Sequence, residues 1–543
     1  MHTKTHSITS LTEKSMKRLG IALALAAVAV TASCKDFLDV NTNPNAPQAV
    51  GANLYLSPME HWMVTAPEFD GRFVGRYTQQ WFLANGQTAI STWDRMGYDP
   101  SSDNGAEQWR DVYWSLGQNL VDMINKAEAE QRWDIAGAGY FMKAWGWLVL
   151  TDLHGDIIIK EAMDPTRSTF DYDTQEYAYS EVARLIDLSI KDLQRTDGAV
   201  DPIYFGKTDH LFNGDRTRWL KMAYGLKAIS LNHFSNKASY SPKDVIAAVD
   251  QSFQSNAEEA VYQYPCQDPA FADCNFLGTH RGNVNSYRQT QFVVKLMDGT
   301  DFGAVDPRMS RMLAPSSDGR FRGVDPTVAG YGAIPTAQQP FNFFGYAGTA
   351  GSGLSSRYIF DDKNKFPFMT YAQLQFVKAE AAYRMGDKAT ALTAYRNGIS
   401  AHIDFVNARN AEISSQSATP ISSAEKAAFL GDTRIVPTDP NKLTLTLIMS
   451  QKYIAQWAWG HNELWMDMRR YHYTDIDPAS GTQVFPGFTP PNTTILYPDN
   501  AGKVAQRIRP RFNSEYIWNV PGLSKIGALA LDYHTTPLWI TQP

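Results

Sequence analysis

Apolar and polar positions alternate along this chain mostly with the period of an amphipathic helix. From Asn53 onward the pattern is helical, with Phe73, Tyr77, Gln80, Trp81 and Ala84 on one face and Asn85-Gly86 as the stop. Trp109, Tyr113, Leu116, Leu120, Ile124 and Ala127 predict a second helix. Ala136 to Leu153 predicts its partner, ending at His154-Gly155-Asp156. Further helices are predicted over Asp171–Leu193 and Trp219–Phe234. Ser241-Pro242 starts a shorter one that runs to Phe253, with Ser at the cap and Pro in the first turn.

Residues 265–367 break the pattern. They are rich in Gly, Pro, Asn and aromatics and show little period, which is uncommon inside a compact domain and often functional. Helix pairing resumes with Tyr371–Met385 and Lys388–Phe405 around Gly386-Asp387. There Ala379, Ala382, Ala391, Ala394 and Tyr395 set small residues against large ones, as in tetratricopeptide units. Ser422-Ser423-Ala424-Glu425 reads as a capping box. Leu443–Trp459 and Asn462–Tyr471 are helical, and the tail from Asp475 is again irregular. The expected fold is mainly α: an irregular tetratricopeptide-like array of helical pairs with a loop-rich, aromatic-rich subregion and little strand.

The first residues change the picture of where the chain resides. Met16-Lys17-Arg18, an uncharged run from Leu19 to Val30, and Thr31-Ala32-Ser33 before Cys34 read as an export signal. The run is about a dozen residues, short of the ~20 that span a bilayer as a helix. Small residues ending at a cysteine suggest a lipobox, in which Cys34 is acylated and the preceding peptide removed. Thr31 departs from the usual Leu or Val, so an ordinary secretory signal with an incidental cysteine stays open. The expected organisation is residues 1–33 as N-terminal extension and signal peptide, 34–52 as lipid anchor and leader, and 53–543 as one helical-repeat domain with the insert at about 265–367.

Charge excludes some partners. With 50 basic and 56 acidic residues the chain lacks the surplus that a nucleic-acid-binding face needs. Cys266 and Cys274 flank a turn-rich segment; after export a disulfide is expected there, with two free buried thiols as the alternative. No metal or cofactor site is expected. His-Glu-x-x-His, Gly-x-Ser-x-Gly and Gly-x-x-x-x-Gly-Lys motifs are absent from the sequence. Gly348–Gly353 has no strand before it and no lysine after it, and reads as a loop. Asp361-Asp362 reads as a solvated turn and not a catalytic pair, His461-Asn462-Glu463 as a capping turn. Of Arg469-Arg470, one is expected to pair with Glu463 or Asp467 and the other to be solvated.

Several segments together resemble the SusD-like (SusD/RagB) nutrient-binding outer-membrane lipoproteins, in the branch with an Asn-Pro-Asn leader. These are Cys34-Lys35-Asp36-Phe37-Leu38-Asp39 through Asn43-Pro44-Asn45, Phe141-Met142-Lys143-Ala144-Trp145 through Gly155-Asp156, and Asp209-His210-Leu211-Phe212-Asn213-Gly214-Asp215 with Trp219. Phe368-Met369-Thr370-Tyr371-Ala372, Trp465-Met466-Asp467-Met468-Arg469-Arg470, and Arg509-Pro510-Arg511-Phe512-Asn513 through Asn519 complete the set. Tyr224-Gly225 and Ala228-Ile229 depart from the family's usual Asn-Ser and following Arg.

The resemblance implies a non-enzymatic, lipid-anchored protein on the cell-surface side of the outer membrane. It would capture an oligosaccharide or other nutrient and deliver it to a SusC-like TonB-dependent transporter. The alternatives are a surface glycoside hydrolase and a peptide-binding repeat adaptor. Sugar faces stack on Trp and Tyr while Asn, Asp, Arg and Gln satisfy hydroxyls. On that ground Trp81, Trp93, Tyr98, Tyr287, Arg288, Phe341, Asn342, Phe344 and Tyr346 are the ligand-binding candidates, each equally able to belong to a local core.

Overall fold

A computed structural model of the chain describes residues 50–99, 101–267, 273–345, 356–413 and 419–543. The expected signal peptide, Cys34, the expected leader up to residue 49, Tyr346 and Gly348–Gly353 lie outside the described residues. Ala52–Pro543 forms one compact unit.

Ten principal helices organise it: α1 (Leu56–Tyr77), α2 (Gly117–Ala129), α3 (Trp133–His154), α4 (Gln175–Gln194), α5 (Arg216–His233), α6 (Pro242–Asp250), α7 (Tyr371–Met385), α8 (Lys388–Ala411), α9 (Leu445–Gln456) and α10 (His461–Arg470). Each helix from α2 to α8 packs on the next in the chain, so the pairs stack into one array. The helix α7 also packs on α9, and α10 on α1. Amphipathic α4 shows the logic: Ala178, Val182, Leu185, Ile186, Ile190 and Leu193 recur at helical spacing and are buried. Helix α3 is apolar nearly all round because it has neighbours on both sides. Two glycines permit the close approach. A Cβ at Gly137 would stand 2.6 Å from Leu193 Cγ, and one at Gly139 2.7 Å from Ile124 Cγ1.

Local chemistry sets the helix starts. Thr174, Ser241, Thr370 and Thr444 each accept a backbone N–H in the first turn, and Ser422 and Glu425 form the expected capping box. Asp209 organises the entry to α5. It accepts from the backbone N–H groups of Leu211, Phe212 and Gly214 and from Trp219 Nε1 at 2.7–3.0 Å. Asp215 then caps the helix.

Strand is sparse among the described residues: β1 (Trp81–Leu83), β2 (Ala260–Gln263), β3 (Tyr287–Gln289) and β4 (Lys365–Met369) form two antiparallel pairs, β1 with β3 and β2 with β4. This corrects the expectation of one helix from Phe73 to Ala84. Helix α1 stops at Tyr77, and Trp81 pairs with Gln289 instead. The helix expected over Trp109–Ala127 is likewise broken. Glu107–Arg110 is α, Asp111–Leu116 is a π turn, and α2 starts only at Gly117.

Both arginines of the pair are buried, so neither is solvated as expected. Arg470 reaches Glu380 through two bonds of 2.8 and 3.0 Å and Asp467 at 2.6 Å; Lys452 joins Asp467 at 2.8 Å and Tyr471 donates to Glu380 at 2.7 Å. Three helices, α7, α9 and α10, meet on this network. Arg469 instead donates to the carbonyls of Asp152, Gln506 and Trp465 and lies over the Trp465 ring. Neither arginine uses Glu463, which faces His233.

Candidate functional site

Stacking on a sugar needs an accessible ring face, and most of the aromatics that the sequence singles out lack one. Trp81 is 0% exposed, packed between Tyr287 and His461, with Nε1 donating to Gly71 O. Trp93 and Tyr98 are buried against each other and against Phe73 and Tyr77. Buried Arg288 donates to the carbonyls of Pro340, Asn285 and Tyr287. Asn342 and Phe344 are buried beside them, and Phe341 is half-buried, its N–H held by Pro315 O. These residues form the core that the insert shares with β1. The insert's aromatics Tyr287, Phe343 and Phe344 belong to the same core as the helices.

Cys266 and Cys274 are joined as a disulfide with Cα atoms 4.1 Å apart.

An accessible aromatic face lies elsewhere, at Trp114, which is 76% exposed. It follows half-buried Tyr113 within the π turn Asp111–Leu116, on the side away from buried Trp109. Asp70 holds the start of this segment by accepting from Glu107 N and Gln108 N at 2.9 and 2.8 Å. Burial lifts the Asp70 carboxyl to about 7, against the pull of those N–H groups.

Trp114 borders a cleft of about 570 Å³, within the range of small-ligand sites. Trp109, Tyr113, Ile158, Ala162, Met163 and Phe170 give it apolar walls, and Arg110, Arg511, Ser514 and Glu515 give it polar groups. The wall at 157–160 is fixed twice. Tyr113 Oη donates to Ile158 O and accepts from Ile158 N, while Asp173 accepts from the N–H groups of Ile159 and Lys160. The facing wall is a second π turn, Phe512–Tyr516. Within it, Glu515 Oε2 accepts from Tyr172 Oη at 2.7 Å and Asn519 Nδ2 at 2.9 Å, which orients the carboxylate and leaves Oε1 without a protein donor among the described residues. Arg511 pairs with Asp103 at 2.6 Å, yet its Nε and the hydroxyl of Ser514 are buried without partners. An exposed indole, apolar walls, one oriented acceptor and unused donors can hold a ligand by its ring face and its hydroxyls together.

Sequence reading missed Trp114 because it falls one position off the apolar stripe. That offset is no signal by itself, since single exposed apolar side chains are ordinary.

Asp152, His233 and Glu463 meet as a set able to ligate a metal ion. The carboxylates, however, lie at opposite ring nitrogens: Nδ1 is 3.5 Å from Asp152 and Nε2 3.2 Å from Glu463, with Tyr179 Oη 3.0 Å from Nδ1. Burial lowers the pKa of His233, but Glu463 and Asp152 outweigh it and the net shift is upward, toward a charged imidazolium held between two carboxylates. Glu463 thus serves this pair and not a helix cap, which corrects the sequence reading of His461-Asn462-Glu463.

The family model for SusD-like proteins described as starch-binding and associating with the outer membrane matches residues 44–490. The chain belongs to this SusD-like family. Solved structures share its fold. A SusD/RagB family protein from Bacteroides thetaiotaomicron is 21% identical with a TM-score of 0.67, covering 91% of this chain and 99% of its own. A SusD homologue from Bacteroides fragilis is 17% identical with a TM-score of 0.68, covering 91% and 100%. A chitin-binding SusD homologue from Flavobacterium johnsoniae is 20% identical with a TM-score of 0.61, covering 90% and 98%. No curated protein matches the chain. Among the described residues of this SusD-like chain, no helix is long and apolar enough to cross a membrane.

Proposed function

We propose that this SusD-like chain is a lipid-anchored, non-catalytic receptor that binds a glycan at the Trp114 cleft and passes it to a SusC-like TonB-dependent transporter. Family membership supports the outer-membrane setting and a carbohydrate ligand, and the chitin-binding Flavobacterium relative supports the same ligand class. The observation that carries the reading is the exposed Trp114 face beside the oriented Glu515 carboxylate. A pyranose ring stacks its C–H face on the indole, Glu515 Oε1 accepts from its hydroxyls, and Arg511 and Ser514 donate to its oxygens. Cys34 carries the anchor and the segment to residue 52 the leader.

Calorimetry of the soluble chain against starch and chitin oligosaccharides tests the site. Binding is expected in the wild type and lost in Trp114→Ala with an unchanged thermal midpoint. Binding that survives the substitution, or release of shorter sugars by the purified protein, overturns the reading. In cells, Cys34→Ala is expected to release the protein from the membrane fraction, and detergent extracts of the wild type are expected to retain the transporter.

A further inference from the structure

A second cavity, of about 220 Å³, lies behind the cleft. Ala162 and Met163 line both, so the two share a wall. The polar groups of this cavity are unlike those of the cleft. Trp147 lines it and is only 4% exposed, yet its indole Nε1 has no hydrogen-bond partner. Lys143, half-buried on the same face of α3, makes no hydrogen bond or ion pair among the described residues, and burial lowers its pKa. Lys160 lies at the rim, 3.9 Å above the Tyr177 ring and 2.8 Å from Asp173.

The nearby acids are already engaged. Arg184 grips Glu181 with two bonds of 2.7 Å, and Asp173 takes the N–H groups of Ile159 and Lys160 besides the Lys160 ammonium. What remains is an unused indole N–H and an ammonium without a direct partner; Glu181, in the same lining, offsets part of its desolvation but is itself held by Arg184. An isolated buried donor is unfavourable unless something accepts from it.

We propose that this cavity binds the carboxylate of an acidic sugar, with Trp147 Nε1 and Lys143 Nζ donating to its two oxygens. The proposal rests on and deepens the glycan reading of the cleft, which would take the further sugar units of the same chain. A carboxylate supplies two acceptors and one negative charge, which matches one N–H and one ammonium. Leu120, Met142 and Met163 suit the C–H faces of a pyranose ring. Tyr113, packed on Trp147 at 5.6 Å between centroids, lines the cleft on its other side and ties the two sites together.

The test is calorimetry of the whole soluble chain with D-glucuronate, D-glucose, inorganic phosphate and trigalacturonate. Saturable glucuronate binding is expected, with glucose silent and phosphate weaker. Lys143→Gln, carrying an unchanged thermal midpoint, is expected to weaken glucuronate at least about tenfold, the effect of deleting a charged hydrogen bond. Trp147→Phe removes the other donor and should weaken it as well, whereas Trp114→Ala should weaken trigalacturonate and leave glucuronate unaffected. The proposal is overturned if glucuronate does not bind, if phosphate binds more tightly, or if neither Lys143→Gln nor Trp147→Phe alters its affinity. Neutral oligosaccharides that bind in a Trp114-dependent way while glucuronate does not would sink the cavity and spare the cleft; glucuronate binding without any neutral glycan would do the reverse.

Discussion

Tyr113 and Ile158 bond to each other twice: the phenol donates to Ile158 O at 2.7 Å and accepts from Ile158 N at 2.9 Å. One side chain thereby takes the place of a neighbouring strand for a wall of the cleft. Tyr113→Phe keeps the ring and removes both bonds, leaving a buried N–H and carbonyl unsatisfied. The expected loss is about 1–3 kcal/mol of stability. Glycan affinity should fall as well, since the wall no longer sits in one place. Urea unfolding and calorimetry check the two effects; an unaltered unfolding midpoint would show that the pair is dispensable.

Glu380 and Arg470 are wholly buried in the network that joins α7, α9 and α10. Breaking such a pair leaves a bare charge in the interior, so Arg470→Met alone should destabilise by about 3–5 kcal/mol. Combining it with Glu380→Gln should recover part of that loss. A double-mutant cycle from unfolding curves measures the recovery, and strictly additive losses would contradict the coupling.

Stability should decline from mildly acidic to mildly alkaline pH. Burial lifts Asp70 to about 7, and Asp111 and Glu259 to about 8. In the unfolded chain such carboxyls titrate near ~4. Between the two values the unfolded chain releases protons that the folded chain retains, so the stabilising contribution is complete below ~4 and is lost as pH rises through 7 and 8. Glu380 runs the other way: burial would raise it, but Arg470 holds it far below the usual range, and its contribution is lost only in strong acid. Asp70→Asn does not titrate there and should flatten the slope between about pH 4 and 7. Unfolding midpoints across that range decide it; parallel slopes in the two proteins would refute the role of Asp70.

Helix α3 has no room for a Cβ at Gly137, where it meets α4. Gly137→Ala places a methyl 2.6 Å from Leu193 Cγ and should cost about 1–3 kcal/mol by overpacking, despite the better helix propensity of alanine. A variant as stable as the wild type would mean that the array yields at this contact.

The elements legible from the sequence are those whose causes are local. Helices α7 and α8 follow from their apolar spacing and from Gly386, which terminates α7 at φ +89° as only glycine readily does. The capping box at Ser422 and the entry at Ser241-Pro242 are equally local. The cleft is not. It needs a segment at 511–515 folded back against residues 109–114, which leaves no periodic trace. Whether Trp81 and Tyr287 serve a ligand or a core was open in the sequence for a related reason, since β1 pairs with β3 far along the chain.

Met163 carries a positive φ of 66° in the partition between the two cavities. A residue held in that region has few neighbouring conformations to relax into. A guest that displaces its side chain from one compartment therefore changes the room available in the other. Were both sides to take ligand, their occupancies would be thermodynamically linked, and the factor by which the first altered affinity for the second would equal the factor in the opposite direction.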